Sequence, residues 1–331
     1  MNFFGRKAQQ RDQADMLIHA LYEAFLKRRP EDSALAHWRE QLQNPGNLQS
    51  VIASFLHSQE FRARHPNFAN PFEYDLSPEQ DIEAEVDEAL LGQIWTHIEN
   101  TWSKLGSEDP YYSVITDPRY RRAEMSDAGV LYEFYNSGKG DVERLERWIE
   151  RSALALKPDA VLAEYGCGVG RVTQWLARRF ASVIAVDISQ SHLDLAARQA
   201  REAKIDCVRF MKIGNRQDLE LLRGVDIFYS VIVLQHNPPP VIHTILEAAF
   251  RGLNRGGVAF FQVPTYGPHG YHFKASEYIQ TFGTEEMEMH FLDQKTIFRL
   301  AHRHGMVPCE VSQDYCTGGL GVSTTFLMQK A

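Results

Sequence analysis

Glu164, Gly166, Gly168 and Gly170, followed by Asp187, are residues whose types and spacing carry a chemical meaning. Glycine lacks a Cβ, so its backbone can take φ > 0 and lie close to a bound molecule. Glycines on alternate positions suit a loop pressed against a ligand, and the two acids supply acceptors for hydroxyl or ammonium groups. Two histidines, His236 and His290, offer a different chemistry, because an imidazole titrates near neutrality and can take a proton from a reacting hydroxyl. Aromatic and basic residues gather in two further places. One is Tyr111, Tyr112, Arg119, Tyr120 and Arg122, ahead of the glycines; the other is Tyr266, His269, Tyr271 and His272, whose loop is suited to shape a pocket.

The elements that must position these groups can be read from hydrophobic period. Val161 to Arg171 reads VLAEYGCGVGR, an apolar strand breaking into the glycine loop, and RVTQWLARRF has the spacing of a helix. SVIAVDIS is then a second strand ending in Asp187, where a doubly wound sheet sets an acid against a ribose. The dinucleotide fingerprint GxGxxG requires its third glycine at position 171, which is Arg171, while the glycine stands at Gly170. This argues against NAD.

The pattern of Glu164, Gly166, Gly168, Gly170 and Asp187 resembles the first two motifs of class I S-adenosylmethionine (SAM)-dependent methyltransferases. The resemblance implies a Rossmann-like α/β sheet and SAM as cofactor. It places the Gly166, Gly168 and Gly170 backbone with Arg171 at the amino acid end, Glu164 at the amino group, and Asp187 with Ile188 at the ribose. Ile213 and Gly214, closing the strand CVRFMKIGN, would bracket the adenine, and Asp218 comes later than the acid usual there. Ser230 and Val231, in the strand VDIFYSVIVLQH, would floor the sulfur, with Tyr112 of the preceding segment near the cofactor. His236, ending that strand beside the expected methyl group, is the first choice of base; His290 is the second, with a structural role as its alternative. The closing runs MVPCEVSQ and GVSTTFLMQ, split by DYCTGGL, match the antiparallel hairpin with which this family ends its sheet.

Earlier in the chain, LYEAFLKRRPEDSALAHWREQLQNPGNLQSVIASFLHSQEF resembles the small helical DUF4214 module. Its helices are expected over Asp12 to Arg28, after a cap at Asp32 or Ser33, and over LQSVIASFLHS, with Ser58 capping a short last helix. Trp38 and Phe61 read as core of that bundle. NFANPFEYDLSPEQ reads as a linker, and Ile82, Val86, Leu90, Ile94, Ile98, Trp102 and Leu105 as one long amphipathic helix with a solvated acidic face. A further helix is expected over Asp141 to Ile149.

Composition excludes other classes. The net charge is -8, and Pro71 to Pro110 sets eleven carboxylates against Lys104 alone, which disfavours a nucleic-acid binder. Cys167, Cys207, Cys309 and Cys316 form neither a CxxC pair nor a metal cluster, and no apolar run approaches a membrane span. The expected organisation is a helical module over 1–70, an acidic linker and cap over 71–150, and a SAM-binding domain over 151–331. The function expected is O-methylation of a sugar or glycan hydroxyl, free or lipid- or nucleotide-linked, by a cytoplasmic enzyme without metal, as a monomer or a homo-oligomer. The glycan setting is implied by the DUF4214 resemblance alone. Two alternatives stand: an NAD-dependent oxidoreductase or epimerase on the same fold, and a catalytically idle glycan-binding scaffold.

Overall fold

The computed structural model describes residues 14–42, 47–56, 58–64, 79–268, 270–282 and 287–331. The chain divides into two compact units, Met1–Glu73 and Tyr74–Ala331. Most of the linker NFANPFEYDLSPEQ lies outside the described residues, as does His269.

In the first unit, residues 14–21 are helical and run into a π-helical turn at Tyr22–Leu26, closed by Lys27 at φ 50°. Helices follow at Asp32–Gln41, Leu48–Leu56 and Gln59–Arg64. The cap of the Asp32–Gln41 helix is Glu31, without a side-chain bond, rather than Asp32 or Ser33. Ser58 does cap the last helix: its Oγ accepts from Phe61 N at 3.1 Å. Ile18, Tyr22, Val51, Phe55 and Phe61 form the core, and Trp38 packs on Phe55 while donating to the Tyr22 hydroxyl at 3.3 Å. Arg28 grips both oxygens of Glu60 at 2.7 and 2.9 Å. The residues by which the module is recognised therefore serve its own packing.

The second unit is built on seven strands: β1 (Val161–Tyr165), β2 (Ser182–Asp187), β3 (Val208–Lys212), β4 (Val225–Ser230), β5 (Leu253–Tyr266), β6 (Met306–Asp314) and β7 (Val322–Lys330). Their order is β3-β2-β1-β4-β5-β7-β6, parallel through β5 and antiparallel for the closing hairpin. The order reverses between β1 and β4, which is where open α/β sheets bind ligands beyond their carboxyl ends. Alternate strand residues serve opposite faces, as a pleat requires. Ala163, Phe228 and Phe261 face one core with α1 (Glu88–Glu108), α4 (Pro239–Gly252) and α5 (Gln294–Arg303). Leu162, Ile227 and Phe260 face the other with α2 (Ala128–Arg151) and Leu193 of α3 (Gln190–Glu202).

Three expectations are corrected. Ile82 and Val86 are not helical: Asp81–Ile82 pairs with His272–Phe273 in a two-residue parallel ladder, and Asp87 caps α1 by accepting from Leu90 N at 2.8 Å. The acidic stretch is not simply solvated, since Asp81 holds Lys274, Glu83 accepts from Ala275 N, Glu88 meets Arg216, and Glu99 meets Lys212. α2 begins at Ala128, well before Asp141, with Asp127 accepting from Gly129 N and Val130 N.

Candidate functional site

β1 ends at Tyr165, and the chain leaves the sheet through Gly166, Gly168 and Gly170 at φ 78°, 52° and 84°. The first two also need their missing side chains, because a Cβ on Gly166 would overlap the Val233 side chain and one on Gly168 would stand 2.7 Å from Val114 Cγ2. Gly166 N and Cys167 N both donate to Val186 O, at 2.8 and 3.0 Å. This ties the loop to β2 and lets Gly168 N donate to Asp187 Oδ2 at 2.8 Å.

A cavity of about 350 Å³ opens at this edge. One end is charged. Glu164 is buried, accepts from Thr173 Oγ1 at 2.6 Å, and is pushed up to about 8 by burial, against the opposing effects of that bond and of Arg171. Arg171 pairs through Nη2 with Asp141 of α2 at 2.7 Å, and Asp187 and His192 complete this part of the wall. The other end is apolar: Ile98 and Trp102 of α1, Val114 and Ile115, then Ile232 and Val233 from the loop after β4, with His236 and Asn237 among them.

His236 is fixed from two sides. Its Nδ1 lies 2.9 Å from Glu288 O, and a carbonyl can only accept, so Nδ1 carries the proton and Nε2 the lone pair. A second chain of bonds gives the same tautomer. Ile232 N–H donates to Gln262 Oε1 at 3.0 Å, Gln262 Nε2 donates to Gln235 Oε1 at 3.1 Å, and Gln235 Nε2 therefore faces His236 Nε2 at 3.2 Å. Burial holds the His236 pKa below the ordinary histidine value, so the ring is neutral.

Of the residues singled out in the sequence, Glu164, Gly166, Gly168, Arg171, Asp187, Ile188, Val231 and His236 line this cavity. Others stand off it. Gly170 lies against Ala196 of α3, Ile213 is buried in the core, and Gly214 N donates to Asp218 Oδ2 at 2.8 Å, which turns that acid to capping. Ser230 braces β4 to β1 through Tyr165 O. Tyr112 lies with its ring 3.3 Å from the Arg121 guanidinium, and its neighbours Ser113, Val114 and Ile115 line the cavity in its place. His290 is outside the cavity wall and bonded at both nitrogens, Nδ1 to the Tyr271 hydroxyl and Nε2 to Glu288, each at 2.8 Å. Its backbone N donates to Gln235 O at 2.8 Å, so it anchors the Glu288 carbonyl that orients His236. His272 is exposed in its ladder, and Tyr266 closes β5 away from the cavity wall. Asp141, Trp102, Ser113, Asn237 and His192 carry no sequence motif; His192, one helical turn into α3 beyond Asp187, is the one whose spacing could have drawn notice.

The wall fits a molecule with a charged amino acid group, a diol and a reactive centre near His236. Each Asp187 oxygen takes one backbone N–H and keeps capacity for another donor, while Arg171 Nε and His192 Nδ1 are buried without a partner. The family model described as a methyltransferase domain matches residues 162–257, and the DUF4214 model matches residues 3–65. The chain is thus similar to methyltransferases over part of its second unit and to DUF4214 domains over its first. A ubiquinone biosynthesis O-methyltransferase from Acinetobacter baylyi is 27% identical over 135 residues, and one from Pseudomonas paraeruginosa is 30% identical over 136. These alignments cover 40% of this chain and 56% of each relative, so the chain spans little more than half the length of the curated relatives it matches. Magnesium protoporphyrin IX methyltransferase from Synechocystis PCC 6803, solved with bound SAH, superposes with a TM-score of 0.50 at 16% identity, over 71% of this chain and 98% of that one. It shares the fold of the methyltransferase domain. Among the described residues no cluster able to hold a metal ion occurs, all four cysteines are free thiols, and no helix is long and apolar enough to cross a membrane.

Proposed function

We propose that the chain transfers a methyl group from SAM to a hydroxyl of its acceptor, with His236 as the base. The observation that carries this reading is one cavity that joins Glu164, Arg171 and Asp187 at one end to a neutral, oriented imidazole at the other. SAM, when bound, supplies a sulfonium whose methyl carbon is open to in-line attack. Asp187, with Ile188 beside it, holds the ribose; Glu164 and Asp141 face the ammonium; Arg171 faces the carboxylate; the Gly166 and Gly168 backbone lies along the ligand, and Val231 floors the sulfur. The acceptor hydroxyl displaces the Gln235 amide from His236 Nε2 and gives its proton to that nitrogen, while Nδ1–H remains on Glu288 O and stabilises the charge the ring acquires.

Oxygen as the acceptor atom is supported by the O-methyltransferases among the relatives. The acceptor we read as a sugar or glycan hydroxyl, free or carried on a lipid or nucleotide in the cytoplasm. Support for that finer reading comes from the DUF4214 module and from Trp102, whose ring lies 5.4 Å from His236 and offers a flat apolar face to a ring substrate. Calorimetry with SAM and with NAD, followed by SAH release assayed against sugar and phenol panels, tests the reading in steps. Binding of NAD in place of SAM ends it, and SAH release with phenols alone ends the glycan part.

A further inference from the structure

His192 is 1% exposed, lies on the cavity wall beside Asp187, and has no part in the mechanism above. Its hydrogen bonds fix which nitrogen bears the proton. Ser113 Oγ stands 2.9 Å from Pro110 O and 2.9 Å from His192 Nε2. A carbonyl can only accept, so the single Ser113 proton goes to Pro110, and Ser113 Oγ accepts from His192 Nε2–H. In the neutral ring Nδ1 is then an acceptor. It has no partner, and it faces Asp187 Oδ1, another acceptor, at 3.6 Å.

Two buried acceptors thus confront each other with no donor between them. Asp187 is already served by Ser189 N on Oδ1 and Gly168 N on Oδ2, each oxygen keeping capacity for another donor. Ser113 holds one edge of the His192 ring, and Gly106 of α1 packs against it closely enough that an added Cβ would lie 3.3 Å from the ring carbons. Such an arrangement is unfavourable until a hydroxyl donor enters it, since an unsatisfied buried polar group carries its full desolvation cost. A vicinal diol brings two donors to two acceptors.

We propose that His192 is a ribose-recognition residue, its Nδ1 accepting a hydrogen bond from one hydroxyl of the cofactor ribose while Asp187 accepts from the other. The assignment rests on the methyltransferase reading. It also gives Ser113 a purpose: by donating to Pro110 and accepting from His192 Nε2–H, it sets the tautomer that makes His192 Nδ1 an acceptor.

The test is calorimetric titration of the full chain with SAH and with its 2′-deoxy and 3′-deoxy analogues. In the wild type, loss of the hydroxyl that His192 binds should weaken affinity about 3- to 10-fold. In His192→Ala the Kd ratio between that analogue and SAH should fall toward 1, and His192→Asn, whose amide oxygen occupies nearly the place of Nδ1, should restore it. His192→Leu serves as the apolar variant should the alanine variant not fold. A ratio in His192→Ala or His192→Leu equal to that of the wild type overturns the proposal, even if affinity for SAH falls overall, because it assigns His192 to packing. A wild type that binds none of the three ligands overturns the methyltransferase reading itself, and this proposal with it.

Discussion

At the Asp187 end of the cavity both oxygens of Asp187 accept from backbone N–H groups and Asp141 pairs with Arg171, whereas at the His236 end one imidazole stands among Ile98, Trp102, Ile232 and Val233. The charged end is assembled from strand tips and the glycine loop, whose positions the sheet dictates. The apolar end comes from α1, the segment before α2 and the loop after β4, which the sheet fixes far less. The difference teaches that one end of the cavity is built into the sheet while the other is added around it, so that under the proposed function the two ends would serve cofactor and acceptor separately.

If the ends are separable, substitutions at them should move different quantities. His236→Ala should lower kcat about 10²- to 10⁴-fold while leaving the SAH Kd within roughly 3-fold. Equal losses in single-turnover rate and in Kd would erase the distinction. Burial depresses the His236 pKa, so the acid limb of the wild-type rate should lie below the ordinary histidine range. Asp187→Asn should do the reverse, weakening SAH binding about 10- to 100-fold with kcat at saturating SAM changed only a few-fold.

Glu164 provides a pH test of the charged end. Its folded-state pKa is raised by burial, so the apo protein holds a proton that the unfolded chain gives up, and stability falls as pH rises toward about 8. A ligand ammonium at Glu164 favours the ionised form, so cofactor binding should release a proton, with affinity rising up to about pH 8. Glu164→Gln should flatten both profiles; calorimetry in buffers of different ionisation heat would count the proton, and a wild type that releases none breaks the assignment. The smallest effect is expected from Gln262→Met. It leaves Ile232 N–H without its acceptor and frees Gln235, and should lower Tm by about 2–10 °C with a modest loss of kcat.

The parallel sheet and its hairpin were legible because hydrophobic period and glycine placement act locally. So was the β1 loop with its two acids. What escaped the sequence depends on partners far along the chain. Ile82 kept helical spacing with Leu90 and Ile94, but its backbone pairs with residues some 190 positions away. α2 was obscured by Gly129, Gly138 and Gly140, poor helix formers; at Gly138 a side chain would collide with the Arg171 carbonyl, and burial of Phe134 and Leu145 outweighs propensity. The apolar run of β4 seemed to continue to His236, yet the strand ends at Ser230, because the chain there turns outward to form the cavity wall. His290 has the chemistry of a base, and only its bonds to Tyr271 and Glu288 reveal it as a brace.

Ile232 sits at φ 59°, a left-handed conformation that a β-branched residue adopts at a cost of about 1–3 kcal/mol, and it is 40% exposed. Burial cannot explain a choice so unfavourable to its own backbone. Its conformation is imposed from β5, through the bond of its N–H to Gln262. A glycine there would relieve the strain and also admit many other shapes of the loop. The cavity wall at this position is therefore held rigid by a strained backbone, and relieving the strain would loosen the wall.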